Sequence, residues 1–180
     1  MAWTIDASHS QIQFSVRHMM ISNVRGRFEN FDGTVELDEN NIESSKVNVT
    51  VDIATINTRD AQRDGHLRSA DFFDIEKYPH MIFVSKKVTK TDGNHALILG
   101  DLTIHGVTKE ATLKVEFNGQ AKSPWGTTSA GFTAETKINR KDWGLGWNKA
   151  LETGGVLVGE EITINIDLEL VQQAEPAAAV

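Results

Sequence analysis

From Glu161 to Val171 apolar and polar residues alternate without interruption: Ile162, Ile164, Ile166, Leu168 and Leu170 fall on one side of an extended chain, and Thr163, Asn165, Asp167 and Glu169 on the other. Side chains of a strand point to opposite faces in turn, so this pattern sets one face against apolar surroundings and the other against water. The same period recurs at Gln11 to His18 through Ile12, Phe14 and Val16, at Lys46 to Ile53 through Val47, Val49 and Val51, and at Ala111 to Asn118 through Leu113, Val115 and Phe117. Strands are predicted over residues 3–6, 11–18, 25–37, 46–55, 80–89, 96–105, 111–118, 128–138 and 160–171. Turn chemistry separates them at Asp38 to Asn41, Thr91-Asp92-Gly93-Asn94, Gly106, Ser123-Pro124-Trp125-Gly126 and Gly154-Gly155. Such short connections favour antiparallel neighbours.

Between Asn57 and Pro79 the alternation stops. Asn57 or Thr58 is suited to cap a helix with Asp60 in its first turn, ending near Ser69, and Leu67, Phe72 and Phe73 are available to pin it to the sheet. Pro79 forces Tyr78 back into extended chain. A second helical turn is predicted over Asn139 to Trp143, and the tail at 172–180, ending in Glu175-Pro176-Ala177-Ala178-Ala179, is expected to fray. Eight or nine strands with one helical excursion near 58–73 predict an all-β barrel in a single domain over 3–171, because closure removes the edges that an open sandwich must protect. An eight-stranded interior is either filled by side chains or holds one small ligand.

With 18 basic and 25 acidic residues the formal charge is −7 and the pI about 5.3, which disfavours a nucleic-acid partner. Cysteine is absent, so disulfides and thiol chemistry are excluded. No apolar run is long enough for a transmembrane helix, and the first twenty residues lack the apolar stretch of a secretory leader. A cytoplasmic protein is therefore expected, or a periplasmic or secreted one if a leader has been removed. The six histidines show no metal-ligand spacing, Gly106-Val107-Thr108-Lys109 lacks the second glycine of a phosphate loop, and no serine elbow is present. Neither cofactor, metal nor catalytic residue is expected. His9 and His105 read as local turn or strand contacts, and the sequon Asn48-Val49-Thr50 lies inside a predicted strand.

Five ordered segments carry a resemblance. They are Trp3-Thr4-Ile5-Asp6 with His9-Ser10, Ile12, Phe14, Val16 and His18; Arg68-Ser69 with Asp71-Phe72-Phe73-Asp74, Tyr78-Pro79, Met81 and Phe83; Gly100-Asp101-Leu102-Thr103-Ile104-His105-Gly106-Val107-Thr108-Lys109; Asn139-Arg140-Lys141-Asp142-Trp143-Gly144-Leu145; and Val158-Gly159-Glu160-Glu161-Ile162. With these the chain resembles the YceI family of lipocalin-like, polyisoprenoid-binding proteins. The resemblance implies an eight-stranded antiparallel lipocalin-like barrel around an elongated apolar cavity for a long isoprenoid or similar lipid. It also implies that many members are periplasmic, and the missing leader departs from that.

The candidate cavity wall is the apolar face of each strand. It comprises Phe14 and Val16, Phe28, Val49 and Val51, Phe83, Leu113 and Val115, Phe132, and Ile164 with Ile166. The same residues packed against one another would make a solid core. Trp143 and Trp147 bracket Gly144-Leu145-Gly146 and follow Arg140 and Lys141, so a loop there pairs a flat apolar wall with cations for a polar head group. His18, at the end of an inward-facing strand, joins that candidate mouth. The alternative is that Trp143 plugs one barrel end with Arg140 packed across it.

Three functions remain open on these residues. The first is non-enzymatic binding or transport of a polyisoprenoid, quinone-like or fatty-acyl ligand. The second is an enzyme acting on a lipid head group through Arg140, Lys141, His18 and Asp142. The third is a filled barrel acting by association, for instance as a homodimer.

Overall fold

Strand alternation is what the chain builds on: the structure, a computed structural model describing residues 3–152 and 155–172, is made almost wholly of antiparallel strands. In chain order these are β1 (Trp3–Ile5), β2 (Gln11–His18), β3 (Ser22–Phe28), β4 (Phe31–Glu36), β5 (Lys46–Asp52) and β6 (Ile56–Asn57). Helix α1 (Ala61–Arg68) follows, then β7 (His80–Lys90), β8 (His95–Ile104), β9 (Val107–Lys122), β10 (Thr128–Asn139) and β11 (Val158–Gln172). β1 bonds to both β4 and β11, which closes the ring β1-β4-β5-β7-β8-β9-β10-β11. Farther along β11 its partner is β2, followed by β3 and β6. β1 and β2 therefore act as one bent strand, as do β3 with β4 and β5 with β6, and the fold is a closed eight-stranded barrel.

Each bend is a change of parity in the apolar pattern. Inward residues are odd-numbered at Trp3 and Ile5 and even at Ile12 to Val16, even at Val24 to Phe28 and odd at Phe31 to Val35, odd at Val47 to Val51 and even at Ile56. Because the side-chain period is two, a shift of one residue would turn every later side chain outward unless the backbone jogs. The first jog is the 3-10 turn Ala7–His9, capped by Asp6, and the third is Ile53–Thr55, capped by Asp52. The second lies at Glu29-Asn30 and corrects the single strand predicted over 25–37. The Glu29 N–H donates to the Thr55 carbonyl at 3.2 Å and the Asn30 N–H to Thr55 Oγ1 at 3.0 Å, while Asp52 N–H donates to the Asn30 carbonyl at 3.0 Å. The two facing breaks thus satisfy each other's backbone groups. The strand predicted over 46–55 likewise ends at Asp52.

The helix starts later than predicted. Asp60 is its cap, with Oδ1 accepting from the Gln62 and Arg63 N–H groups at 3.1 Å each. Thr58 instead donates its N–H, at 3.0 Å, and its hydroxyl to Asp64 Oδ1, and accepts from Arg63 Nε at 2.8 Å, which anchors the first turn beneath the barrel. The predicted turn at 139–143 forms as Arg140–Trp143 with an Asn139 cap. Residues 173–180 of the expected frayed tail, and residue 154 of the Gly154-Gly155 turn, lie outside the described residues.

Two glycines open the interior. Gly26 sits directly across from Phe14, and a Cβ there would come within 2.4 Å of the Phe14 ring. At Gly100 a Cβ would come within 2.4 Å of the Phe83 ring. The tip of each ring thus occupies the space that a side chain at the facing glycine would fill.

Candidate functional site

The inward faces enclose two chambers. The larger, of about 480 Å³, is walled by Val49, Val51, Phe83, Leu113, Val115, Phe132 and Ile166, and reaches the surface among Glu39, Lys90, Asn94, His95 and Gln120. The smaller, of about 220 Å³, is walled by Phe14, Val16 and Phe28 and covered by Leu67, Phe72 and Phe73 from α1 and the segment after it. Ile12, Met81 and Ile164 line both and form the pinch between them. All eleven wall residues expected from the alternation line one chamber or the other. The combined volume, about 700 Å³ from 480 and 220 Å³, lies within the range of roughly 300–1,000 Å³ usual for small-molecule sites.

The expected mouth residues divide. His18, Arg140 and Trp147 line the smaller chamber. Trp147 stacks edge-on to His66 at 4.7 Å and beside Phe72 at 5.3 Å. Lys141 points away, exposed, and pairs with Glu160 at 2.7 Å, which holds that carboxyl below its usual value. Trp143 lines neither chamber: it is 3% exposed within the main core and donates Nε1–H to the Leu102 carbonyl at 2.9 Å, while Arg140 lies over the Phe72 ring. Asp142 is exposed and lines neither chamber, so the four-residue head-group cluster of the enzyme reading does not converge.

Arg140 is 3% exposed and has backbone partners throughout. Nε donates to Gly159 O at 2.8 Å, Nη1 to Leu145 O and to Trp147 O at 2.9 Å, and Nη2 to Val158 O at 3.3 Å. Burial pushes its guanidinium down, and the charge of Glu160 opposes that shift. A planar fork with five donors suits this task, since it ties two passes of the chain to one point. Arg140 ties Leu145 and Trp147 to Val158 and Gly159.

The sequence reading passed over Arg17, Arg63 and His66, which also line the smaller chamber, and Ile12 and Met81 at the pinch. Met81 was legible, because it precedes Phe83 by two in a predicted strand; Arg63 and His66, three apart on α1, share a face. His9 makes the local contact expected of it, to Asp6 at 2.8 Å. Ser8 and then His9 hold the Asp6 carboxyl down at about 2, and Asp6 raises His9 in return. With Glu169 these two side chains bring their ligand-type atoms within 4.8 Å at the surface, a grouping the histidine spacing did not reveal.

A family model described as a YceI-like domain matches residues 3–170. The chain belongs to the YceI-like family. UPF0312 proteins of Staphylococcus aureus, such as that of strain MSSA476, are 39% identical over 168 residues, covering 93% of this chain and 95% of theirs. Among solved structures, a Campylobacter jejuni YceI protein is 35% identical with a TM-score of 0.76, over 88% of this chain and 90% of that one. BcnA of Burkholderia cenocepacia, at 24% identity and a TM-score of 0.80 over 92% and 98%, shares the fold. So does a domain from Saccharophagus degradans described as polyisoprenoid-binding, at 15% identity and a TM-score of 0.66 over 94% and 98%.

Proposed function

We propose that this YceI-like barrel binds a long-chain isoprenoid, or a lipid of similar shape such as a quinone or fatty-acyl chain, in its two chambers and carries it without chemical change. The observation that supports this reading is the apolar wall of both chambers, with the Phe14 and Phe83 ring tips accommodated where Gly26 and Gly100 lack a side chain. Affinity follows from area alone. An isoprene unit of five carbons yields roughly 3 to 4 kcal/mol on burial, and about four units exceed the association cost by enough for micromolar binding. Polar groups are needed only to orient the head. The name of the Saccharophagus degradans domain agrees with this cargo. Arg140 supports binding over catalysis, because the carbonyls of Leu145, Trp147, Val158 and Gly159 occupy most of its donors.

Native mass spectrometry of protein purified from cells, followed by organic extraction, tests the proposal. A bound species with the mass of a polyprenol, quinone or fatty acid is expected. Protein that carries no lipid and gains no thermal protection from added polyprenol overturns it.

A further inference from the structure

The hairpin between β2 and β3 is made of the wrong residues for its shape. The Ile21 N–H donates to the His18 carbonyl at 3.2 Å, and the two residues between, Met19 and Met20, have φ of +51° and +64°. Two successive residues in the left-handed region mark a mirror-image hairpin turn, whose favoured sequence is Asn-Gly because other side chains are strained there. Here the turn carries two thioethers followed by isoleucine, exposed by 42%, 58% and 78%. Val156, also exposed, comes from the neighbouring loop. Met20 lays its thioether against Gly155 of that loop, and the rest of the apolar tip stays open to solvent.

The tip has a definite address. The Met19 N–H donates to the Leu157 carbonyl at 2.8 Å, and Leu157, Arg17 and His18 line the smaller chamber. The exposed methionines therefore sit on its rim. Among the described residues, the charged side chains lining that chamber are Arg17, Arg63 and Arg140, with no carboxylate, although the whole chain carries −7. Arg17 lies beside the tip, Nη2 at 3.5 Å from the Met20 carbonyl.

We propose that Met19, Met20 and Ile21 form a membrane-docking tip that inserts into the interface of a bilayer with anionic head groups and sets the smaller chamber against it. Flexible thioethers and a branched aliphatic suit the boundary between head groups and acyl chains, and Arg17 beside them adds attraction to anionic lipid. A protein partner fits less well, since three or four side chains fall far short of the roughly 1,200 Å² of a stable interface. The docking itself stands on the hairpin; its use for loading lipid rests on the function proposed above.

The test is co-sedimentation of the full chain with vesicles of phosphatidylcholine alone and mixed with phosphatidylglycerol, beside the double variant Met19→Asn, Met20→Gly. That variant supplies the residues the turn prefers, so its melting temperature is expected to hold or rise. Its partition onto mixed vesicles is expected to fall roughly tenfold, as apolar area leaves the interface. Its affinity for a polyprenol in vesicle-free solution is expected to equal that of the wild type. Wild-type protein that binds neither vesicle, or a variant that binds as well as the wild type, overturns the proposal. So does a wild-type dimer that the variant abolishes, which would assign the tip to a second copy of the chain. Docking without polyprenol uptake supports the tip and overturns the cargo.

Discussion

The two chambers are made by different means. The larger is walled mainly by strands whose inward faces are Val, Ile, Leu and Phe, and its charged residues Glu39 and Lys90 stand at the open end. The smaller takes a third of its boundary or more from irregular chain: α1, the segment after it, and the loop that Arg140 ties down. A regular ladder gives an apolar tube that tolerates change one side chain at a time, because each wall residue acts mostly for itself. The irregular cover depends on a few polar anchors that satisfy several backbone groups at once, so its cost on damage is concentrated.

The sharpest way to break this contrast is at Arg140. Arg140→Ala takes the side-chain donor from the Leu145, Trp147 and Gly159 carbonyls, while Val158 O keeps Asn148 Nδ2 at 2.7 Å. A loss of about 3–5 kcal/mol is expected in urea unfolding. Amide exchange is expected to quicken at 145–149 and 156–159 before it does in β8 or β9. Uniform loss of protection would show that the cover and the wall are one unit.

Next comes the pinch. Met81→Ala removes the buried side chain between the chambers at an expected cost of about 2–3 kcal/mol, read from thermal unfolding. It is also expected to steepen the rise of affinity with chain length in a polyprenol series, because the passage that a long tail takes through both spaces widens. An unchanged length profile would mean that Met81 is no barrier. Smaller effects are expected at the two glycines. Gly100→Ala drives the Phe83 ring into the larger chamber and Gly26→Ala drives Phe14 into the smaller, each costing about 1–3 kcal/mol. A displacement assay with short and long tails separates them: Gly100→Ala should weaken both, Gly26→Ala chiefly the long.

The smallest effect lies at the exposed pair Asp6 and His9. Asp6 is held down at about 2 from 3.8, so its contribution is present above pH 3.8 and is lost as pH falls toward 2. His9 is raised above 6.5, so its contribution is present below pH 6.5 and is lost as pH rises through the raised value. Proton titration by NMR of the wild type and Ser8→Ala checks this: losing the Ser8 hydroxyl should raise the Asp6 value while both chambers keep their affinities.

This division also explains what the sequence made legible. Wall residues such as Val49, Leu113 and Ile166 follow from period two, since a half-buried strand admits one inward set. The break at Glu29-Asn30 was written in the chain as well, in the step from Phe28 to Phe31, an odd interval where the period requires an even one. Arg140 and Trp143 could be located on a turn but not given their roles. Which donors Arg140 spends depends on where residues 145–159 fold back, and nothing within the local stretch encodes that. Trp143 was legible as an aromatic in a loop; its indole reaches Leu102, 41 positions earlier in the chain. Lys141 was assigned to the mouth by adjacency to Arg140, yet neighbours in a tight turn diverge, and it points to Glu160 instead.

The constriction at Met81 carries a kinetic corollary. Side chains alone separate the two compartments, the unbranched thioether of Met81 beside Ile12 and Ile164, and among the described residues no hydrogen-bonded ladder crosses between them. For the cargo proposed above, passage from one to the other then asks for a torsional hop of Met81 and leaves the hoop of strands intact.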